Sequence, residues 1–408
     1  MKKGLFTFIL SFIALSSFSQ KYTYIKGKVT SSLNENLEGA SVYLNNTTVG
    51  TTTNSKGEFE LKVSKGSYDL VVSFIGYTTS RNKINTNAKV DFLTIKLIPE
   101  LNVLNEVILK KPTYDDEWKY NLSRFKSLFL GKTKLASECI ILNPKALIFE
   151  FNRKTGELTA DAREPLKIKH KGLGYMITYD LIRFSIKNQR LFFSGYARYN
   201  NLKGRVKKKW KRNRTKAYNG SQMHFFRSLL NKDLTETGFI INQFKRVRNP
   251  ERPSDEAIKS ARELMYLNRE IINYSKNITT PLKPIDSAIV IARKSSKPKY
   301  QDFLYKRNVP YSEMISYNIN EPHLNFVNYL SITYKNEKEE DNYLIGMFGK
   351  RKKATGVQTS NITLINGKST IDITGVLIDP EAIFVEGYWA FESFADMLPL
   401  DYQPIKKN

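Results

Sequence analysis

From residue 22 to about residue 109, short runs alternate between apolar and polar positions with a period of two, which is typical of strands half-buried in a sheet. Four such runs cover residues 24–32, 40–47, 57–63 and 68–77. Glycines separate the runs, and Asn54-Ser55-Lys56-Gly57 is a strong turn signal. Strands at about ten-residue spacing with almost no helical periodicity predict a small β-sandwich.

After residue 112 the apolar spacing becomes that of a helix. Three acids at 115–117 precede the apolar positions Trp118, Leu122, Phe125 and Phe129. This pattern predicts an amphipathic helix that stops near Gly131. Ser221 and Ser254 are candidate N-caps of two further helices. Strand-like runs fill most of the remainder, at 137–142, 146–152, 156–162, 166–170, 174–186, 190–199, 315–319, 328–335, 343–348, 358–365, 369–374 and 382–391.

These patterns predict a mainly β protein with some helix: a β-sandwich over 20–100, a linker strand over 101–114 and a larger, mostly antiparallel α+β domain over 115–408. Residues 1–19 read as a signal peptide. Lys2 and Lys3 precede an apolar stretch that is shorter than the roughly 20 residues a membrane span needs, and small serines stand where cleavage before Gln20 would require them. We therefore expect export, with no transmembrane helix in the mature chain.

The charge is unevenly distributed along the chain. The formal net charge is +26, of which +4 falls in residues 20–111 and +20 in residues 112–408. Residues 203–216 contain nine basic residues and no acid, whereas residues 369–405 contain seven acids and no base. The excess of positive charge is therefore concentrated in the middle of the chain, opposite an acidic C-terminal tract.

The few cysteines and histidines limit the possible chemistry. Cys139 is the single cysteine, so no intramolecular disulfide and no Cys-rich zinc or iron–sulfur site can form. None of the three histidines, His170, His224 and His323, has a glutamate three residues later. A zinc carboxypeptidase needs that pair, so this activity is excluded, and we expect neither a metal nor a cofactor.

The N-terminal residues resemble the carboxypeptidase regulatory-like domain, a transthyretin-like β-sandwich. The matching segments are Gly27-Lys28-Val29, residues 37–42, residues 50–53, Gly57-Glu58-Phe59 and residues 73–77. The resemblance covers most of residues 22–98, and residues 101–109 are similar to the strand that commonly follows this domain. The family is common in exported Bacteroidetes proteins, often in front of TonB-dependent outer-membrane receptors.

The C-terminal region resembles a group of Bacteroidetes envelope proteins that carry the same N-terminal domain. The matching segments include Asn143-Pro144, residues 173–175, residues 212–221, residues 387–389 and residues 398–402. This resemblance implies a periplasmic or outer-membrane-associated location, and it implies no reaction.

The basic run is the strongest candidate site. The candidate anion-binding residues are Lys207, Lys208, Lys209, Trp210, Lys211, Arg212 and Arg214. Clustered cations around an aromatic residue suit an anionic polymer or lipid, and an exported protein would meet envelope polymers such as lipopolysaccharide rather than nucleic acid. Two alternatives remain open: a solvated loop or hairpin tip, and a surface that faces the acidic tract across an interface.

An acidic and aromatic cluster provides an alternative site, made of Glu386, Tyr388, Trp389, Glu392 and Asp401. Paired carboxylates beside aromatic rings are what glycoside hydrolysis uses. The competing interpretation is a strand with a packed face and a wet face. Ser221 and His224 lie at the spacing of a helix cap, which we favour over a catalytic pair.

The sequence thus predicts an exported, non-enzymatic envelope protein. Its function would be to bind anionic envelope polymers or lipids, or to assemble with an outer-membrane protein complex. The alternative is a glycan- or peptide-acting hydrolase that uses carboxylates in 386–401.

Overall fold

A computed structural model describes residues 22–100, 113–187, 190–270, 272–273, 277–281, 283–319, 321–345, 353–365 and 367–404. The predicted signal peptide and most of the predicted linker strand lie outside these residues, and the domain boundaries remain predictions. None of the helices in the described ranges is long and apolar enough to cross a bilayer.

The N-terminal region is a β-sandwich of seven strands. They are β1 (Thr23–Ser31), β2 (Ser41–Leu44), β3 (Gly50–Thr52), β4 (Glu58–Val63), β5 (Ser67–Ser73), β6 (Ser80–Asn85) and β7 (Leu93–Leu97). One sheet has the order β4-β1-β7 and the other β3-β2-β5-β6. Only the β1–β7 pair is parallel. Along β4, Phe59, Leu61 and Val63 point inward while the glutamates and lysine between them are exposed, so the period of two places the apolar side chains in the core, as predicted.

A helix and a six-stranded antiparallel sheet follow. They are α1 (Asp116–Phe129), β8 (Cys139–Ile141), β9 (Leu147–Asn152), β10 (Glu157–Ala162), β11 (Leu166–His170), β12 (Tyr175–Lys187) and β13 (Arg190–Asn201). Asp115 caps α1 by accepting a hydrogen bond from the Trp118 amide. Phe125 and Phe129 are fully buried in the core that α1 shares with this sheet. The predicted amphipathic helix is confirmed.

The remaining residues form short helices and two further antiparallel sheets. The helices are α2 (Lys208–Tyr218), α3 (Gln222–Asn231), α4 (Leu234–Thr237), α5 (Asp255–Leu267), α6 (Pro284–Lys294), α7 (Asp341–Leu344) and α8 (Tyr388–Phe391). The strands are β14 (Phe239–Arg248), β15 (Tyr300–Lys306), β16 (Ile315–Asn318), β17 (Glu321–Leu324), β18 (Tyr329–Tyr334), β19 (Gln358–Leu364), β20 (Ser369–Asp372), β21 (Val376–Leu377) and β22 (Ile383–Gly387). The sheet orders are β15-β14-β18-β19-β22 and β16-β17-β20-β21. The predicted fold class, a β-sandwich followed by a larger, mainly antiparallel α+β region, is confirmed.

Three local predictions are wrong. The basic run is not a solvated loop or hairpin tip, because most of it forms α2. The described part of residues 343–348 is not a strand, because it includes the end of the short helix α7. The end of the predicted strand at 382–391 is not a strand, because residues 388–391 form the short helix α8. Strands β14, β15 and β17 and helix α6 were not predicted from the sequence.

The sandwich is joined to the second region through the loop between β2 and β3. The Asn46 amide donates to the Ala197 carbonyl at 2.7 Å, and the Tyr199 amide donates to the Thr47 carbonyl at 3.0 Å. The Tyr43 hydroxyl donates to Asp180 at 3.1 Å. Because backbone groups of the β2–β3 loop pair with β13, the sandwich is fixed next to the region that carries the basic residues.

Candidate functional site: a basic helix and an interdomain cleft

Helix α2 is held against the rest of the protein by Trp210. Its side chain is 5% exposed, and its indole N–H donates to the Lys171 carbonyl at 2.9 Å. Asn213 and Arg214 add hydrogen bonds to the carbonyls of Gly172 and Leu173, at 3.0 and 2.8 Å. One side of α2 is therefore anchored to the turn at residues 171–174.

The other side of the run is exposed and cationic. We call the following exposed residues the basic face: Lys203, Arg205, Lys207, Lys208, Lys211 and Arg212. The described part of the chain offers none of them an acidic partner within ion-pair distance. Lys209 and Lys216, in contrast, pair with Glu138 at 2.6 Å and Glu340 at 3.1 Å. The basic face thus presents uncompensated positive charge to solvent.

The positive charges in the first turn of α2 interact unfavourably with the dipole of the helix. Lys207 is the N-cap residue, Lys208 and Lys209 follow, and the turn contains no acid. The N-terminal end of a helix has a partial positive charge, so each cation there costs about 0.3–1 kcal/mol relative to an anion. Unpaired amide groups at the same end add further hydrogen-bond donors for an anion.

The structure corrects the role of Trp210 among the predicted anion-binding residues. Its ring is packed on the turn at 171–174 and is not a free surface for a ligand. Lys209 is also engaged, through Glu138. Lys207, Lys208, Lys211 and Arg212 are exposed as a binding surface requires, and Arg214 is half-buried beside them.

A cleft of about 380 Å³ lies next to the basic face, between α2, the sandwich and the C-terminal segment. We call it the interdomain cleft. Its lining residues are Thr48, Tyr175, Asn201, Val206, Lys211, Arg214, Pro399, Asp401, Tyr402 and Gln403. The structure therefore brings Lys211 and Arg214 from the basic run together with Asp401 from the acidic tract.

Asp401 connects the two walls of the cleft. Its carboxylate accepts hydrogen bonds from the Thr48 amide at 2.9 Å and from the Thr48 hydroxyl. The next residue toward the N-terminus, Leu400, donates its amide to the Asn46 carbonyl at 2.7 Å. The C-terminal segment is thereby attached to the β2–β3 loop of the sandwich.

Glu386 and Asp401, two of the acids in the hydrolase hypothesis, have separate hydrogen-bond partners. Glu386 pairs with Arg246 at 2.9 Å, and Arg246 also pairs with Asp302 at 2.7 Å. Tyr388 and Trp389 are buried, and the Trp389 indole donates to the Gly220 carbonyl at 2.6 Å. Because Asp401 is bonded to Thr48, Glu386 and Asp401 contact different parts of the molecule. Tyr388 and Trp389 are packed side chains, but they lie in the short helix α8 and not in a strand.

Glu392 belongs to a different group of carboxylates, which we call the buried acid cluster: Glu337, Glu340, Glu392 and Asp396. Glu340 is buried, and the other three are half-buried. Burial raises the pKa of Glu392, and the nearby charge of Asp396 raises it further. Burial also raises the pKa of Asp396, to about 7, although the Thr133 hydroxyl donates to it and opposes the shift. Lys216 pairs with Glu340 of this cluster at 3.1 Å, and its charge opposes the rise of both pKa values. Glu337 and Glu340 were missed because they lie some 55 residues away in the chain.

The Ser221–His224 pair is a helix cap, as favoured. The Ser221 hydroxyl accepts a hydrogen bond from the His224 amide at 3.2 Å, and Nδ1 of His224 accepts from the Gly220 amide at 3.1 Å. Burial lowers the pKa of His224 to about 4, so the ring is neutral at physiological pH. Burial also raises the pKa of Cys139. No group of three or more potential ligands within the described ranges is arranged to hold a metal ion.

Comparison with known proteins identifies the N-terminal region. A family model described as "CarboxypepD_reg-like domain" matches residues 25–109. The N-terminal sandwich is a CarboxypepD_reg-like domain. This confirms the resemblance seen in the sequence and agrees with the observed β-sandwich.

The chain is also similar to one curated protein over part of its length. The chain is 32% identical over 116 residues to the TonB-dependent receptor SusC of Bacteroides thetaiotaomicron. The match covers 27% of this chain and 11% of that receptor, so the chain spans only about a tenth of the receptor's length. The similarity to this receptor is therefore shown for about a quarter of the chain.

Two solved structures from Bacteroides are also similar, at low identity. A DUF3823 family protein from Bacteroides ovatus is 9% identical, covering 45% of this chain and 82% of that protein, with a TM-score of 0.17. A putative membrane-associated protein of unknown function from Bacteroides fragilis is 13% identical, covering 85% and 91%, with a TM-score of 0.16. TM-scores this low carry no argument about fold or function.

Proposed function

We propose that this protein is an exported, non-enzymatic component of the Bacteroidetes cell envelope that binds anionic envelope polymers through the basic face. The observation that carries the proposal is the set of six exposed cations on and before α2 that lack acidic partners in the described residues. Exposed charges of one sign raise the local concentration of an oppositely charged polymer and speed its association.

The expected location of the protein indicates which polyanions it would bind. The CarboxypepD_reg-like domain and the predicted signal peptide both favour export. Phosphorylated lipopolysaccharide sugars and acidic polysaccharides are the abundant polyanions outside the inner membrane. Each lysine or arginine near an anionic lipid surface contributes about 1 kcal/mol to binding.

We expect the triple variant Arg205→Gln, Lys208→Gln, Arg212→Gln to bind purified lipopolysaccharide at least about tenfold more weakly than the parent. The parent's own affinity should fall steeply between about 50 and 500 mM salt, because salt screens exposed charges. Surface plasmon resonance against immobilised lipopolysaccharide measures both effects.

The matched control removes three exposed charges from the sandwich: Lys83→Gln, Lys89→Gln and Lys96→Gln. This variant has the same net charge as the triple variant, so a difference between the two depends on position and not on total charge. Affinity that does not change with salt, or equal loss in the two variants, would show that the basic face is not the binding surface.

A further inference from the structure

We propose that the interdomain cleft binds a single acidic sugar unit, that is, a sugar ring that carries a carboxylate or phosphate group. This inference rests on the proposed function, because it assigns the part of an anionic envelope polymer that the protein would recognise specifically. The basic face supplies attraction along the polymer, and the cleft supplies selectivity for one of its units.

Arg214 is held in a fixed orientation that suits the binding of an acidic group. Its Nε donates to the Leu173 carbonyl at 2.8 Å, and its Nη2 donates to Asn201 Oδ1 at 3.0 Å. The guanidinium group also stacks 4.0 Å from the centre of the Tyr175 ring. These contacts fix the planar group in one orientation, so little side-chain entropy is left to lose when Nη1 meets a carboxylate or phosphate.

Lys211 adds a second cation, and Asp401 makes the cleft selective. Both side chains line the same cavity as Arg214. A carboxylate repels a simple anion, but its oxygens accept hydrogen bonds from hydroxyl groups even while Thr48 occupies part of their capacity. Two cations and one acceptor group therefore suit a ligand that is anionic at one end and carries hydroxyl groups at the other.

The dimensions of the cleft fit one sugar unit. A volume of about 380 Å³ is near the lower end of the range for small-molecule sites. Tyr402 and Pro399 supply apolar surface in the lining. Lys211 belongs to both the cleft and the basic face, so a polymer lying on the basic face can place one unit in the cleft without a rearrangement of the helix.

The test uses glucuronic acid and glucose 1-phosphate as probes, with glucose and inorganic phosphate as comparison ligands, in NMR titrations of the full mature chain. We expect both acidic sugars to saturate a single site. Glucose and inorganic phosphate should each bind at least about fivefold more weakly, since each satisfies only one part of the cleft. The two acidic probes distinguish carboxylate from phosphate as the preferred group.

Variants locate the site. Lys211→Gln and Arg214→Lys should each weaken binding of the acidic sugars about fivefold or more, and thermal melting verifies that the variants fold. Lys208→Gln removes the same charge from the same helix but does not line the cleft, so its effect should be clearly smaller. Lys126→Gln, on the exposed side of α1, serves as a control outside the binding region.

The outcomes separate this inference from the proposed function. Equal weakening by Lys208→Gln and Lys211→Gln, or inorganic phosphate that binds as tightly as the acidic sugars, would overturn the cleft assignment. Salt-dependent binding of lipopolysaccharide without any binding of acidic sugars would do the same, while it supports the basic face. A third outcome is that acidic sugars bind with the expected variant pattern while lipopolysaccharide binding does not depend on salt. This result would support the cleft as a sugar site and would contradict the proposed role of the basic face.

Discussion

Replacing Gly174 with alanine is expected to lower the free energy of unfolding by about 3 kcal/mol. Gly174 has a φ of +77°, a conformation that costs other L-residues roughly 1–2 kcal/mol. A Cβ atom there would also lie 2.2 Å from Cδ2 of Trp210. The indole ring is held by its hydrogen bond to the Lys171 carbonyl, so relief of the clash must displace α2, and overpacking of this kind adds about 1–3 kcal/mol.

Gly156 provides the matched control for this substitution. Its φ is +69°, but a Cβ atom there would meet no other heavy atom within 4 Å. Gly156→Ala should therefore cost only the backbone term of about 1 kcal/mol. Denaturant titration followed by circular dichroism measures both variants, and equal losses would show that the contact between Gly174 and Trp210 does not restrain α2.

The same substitution links the packing of α2 to the proposed function. Because the turn at 171–174 positions Trp210, and Trp210 positions the helix, Gly174→Ala should also weaken lipopolysaccharide binding in whatever fraction of the protein stays folded. Gly156→Ala leaves the helix and its anchor intact and should bind as the parent does.

Local sequence patterns predicted the parts of this fold that local physics controls. The period of two predicted the sandwich strands. The helical spacing of Phe125 and Phe129, which follow acidic residues that include the capping Asp115, predicted α1. These predictions succeed because a strand or an amphipathic helix buries one face, whichever partner covers it. The Ser221 and Ser254 caps were found because a cap is a hydrogen bond to an amide only three residues later in the chain.

Helix α2 was missed because its apolar face consists of few residues. Trp210, Ala217 and Tyr218 are its buried side chains, and lysines and arginines fill most of the other positions. Lysine and arginine are good helix formers, but three apolar residues with polar ones between them give too weak a period to predict a helix. What holds α2 in place is a contact between Trp210 and a turn some 36–39 residues earlier in the chain.

The candidate site combines residues that no local pattern connects. Lys211 and Arg214 were predicted as anion-binding residues, and Asp401 was assigned to a separate acidic cluster. They share one cleft because the β2–β3 loop forms hydrogen bonds with β13 on one side and with the C-terminal segment on the other. Thr48, which bonds Asp401, is 353 residues away from it in the chain. A single sequence carries no signal for a contact of that range.

The buried acid cluster is expected to make the protein less stable as the pH rises from about 4 to about 7. Burial raises the pKa of Asp396 to about 7 in the folded state, with the charge of Glu340 adding to the shift and Lys216 opposing it. Glu392 is raised in the same direction. In this pH range the folded state holds protons that the unfolded chain has released, so each rise in pH favours unfolding.

Asp396→Asn should remove much of this dependence, since an amide keeps an acceptor for the Thr133 hydroxyl but has no proton to lose. The parent should lose roughly 2–4 kcal/mol of unfolding free energy between pH 5 and pH 8 from this cluster, and the variant markedly less. Asp91→Asn, which alters an exposed carboxylate on the sandwich, should follow the parent curve. Denaturant titrations across this range decide the point: parallel curves for the parent and Asp396→Asn would mean that Asp396 is ionised in the folded protein throughout.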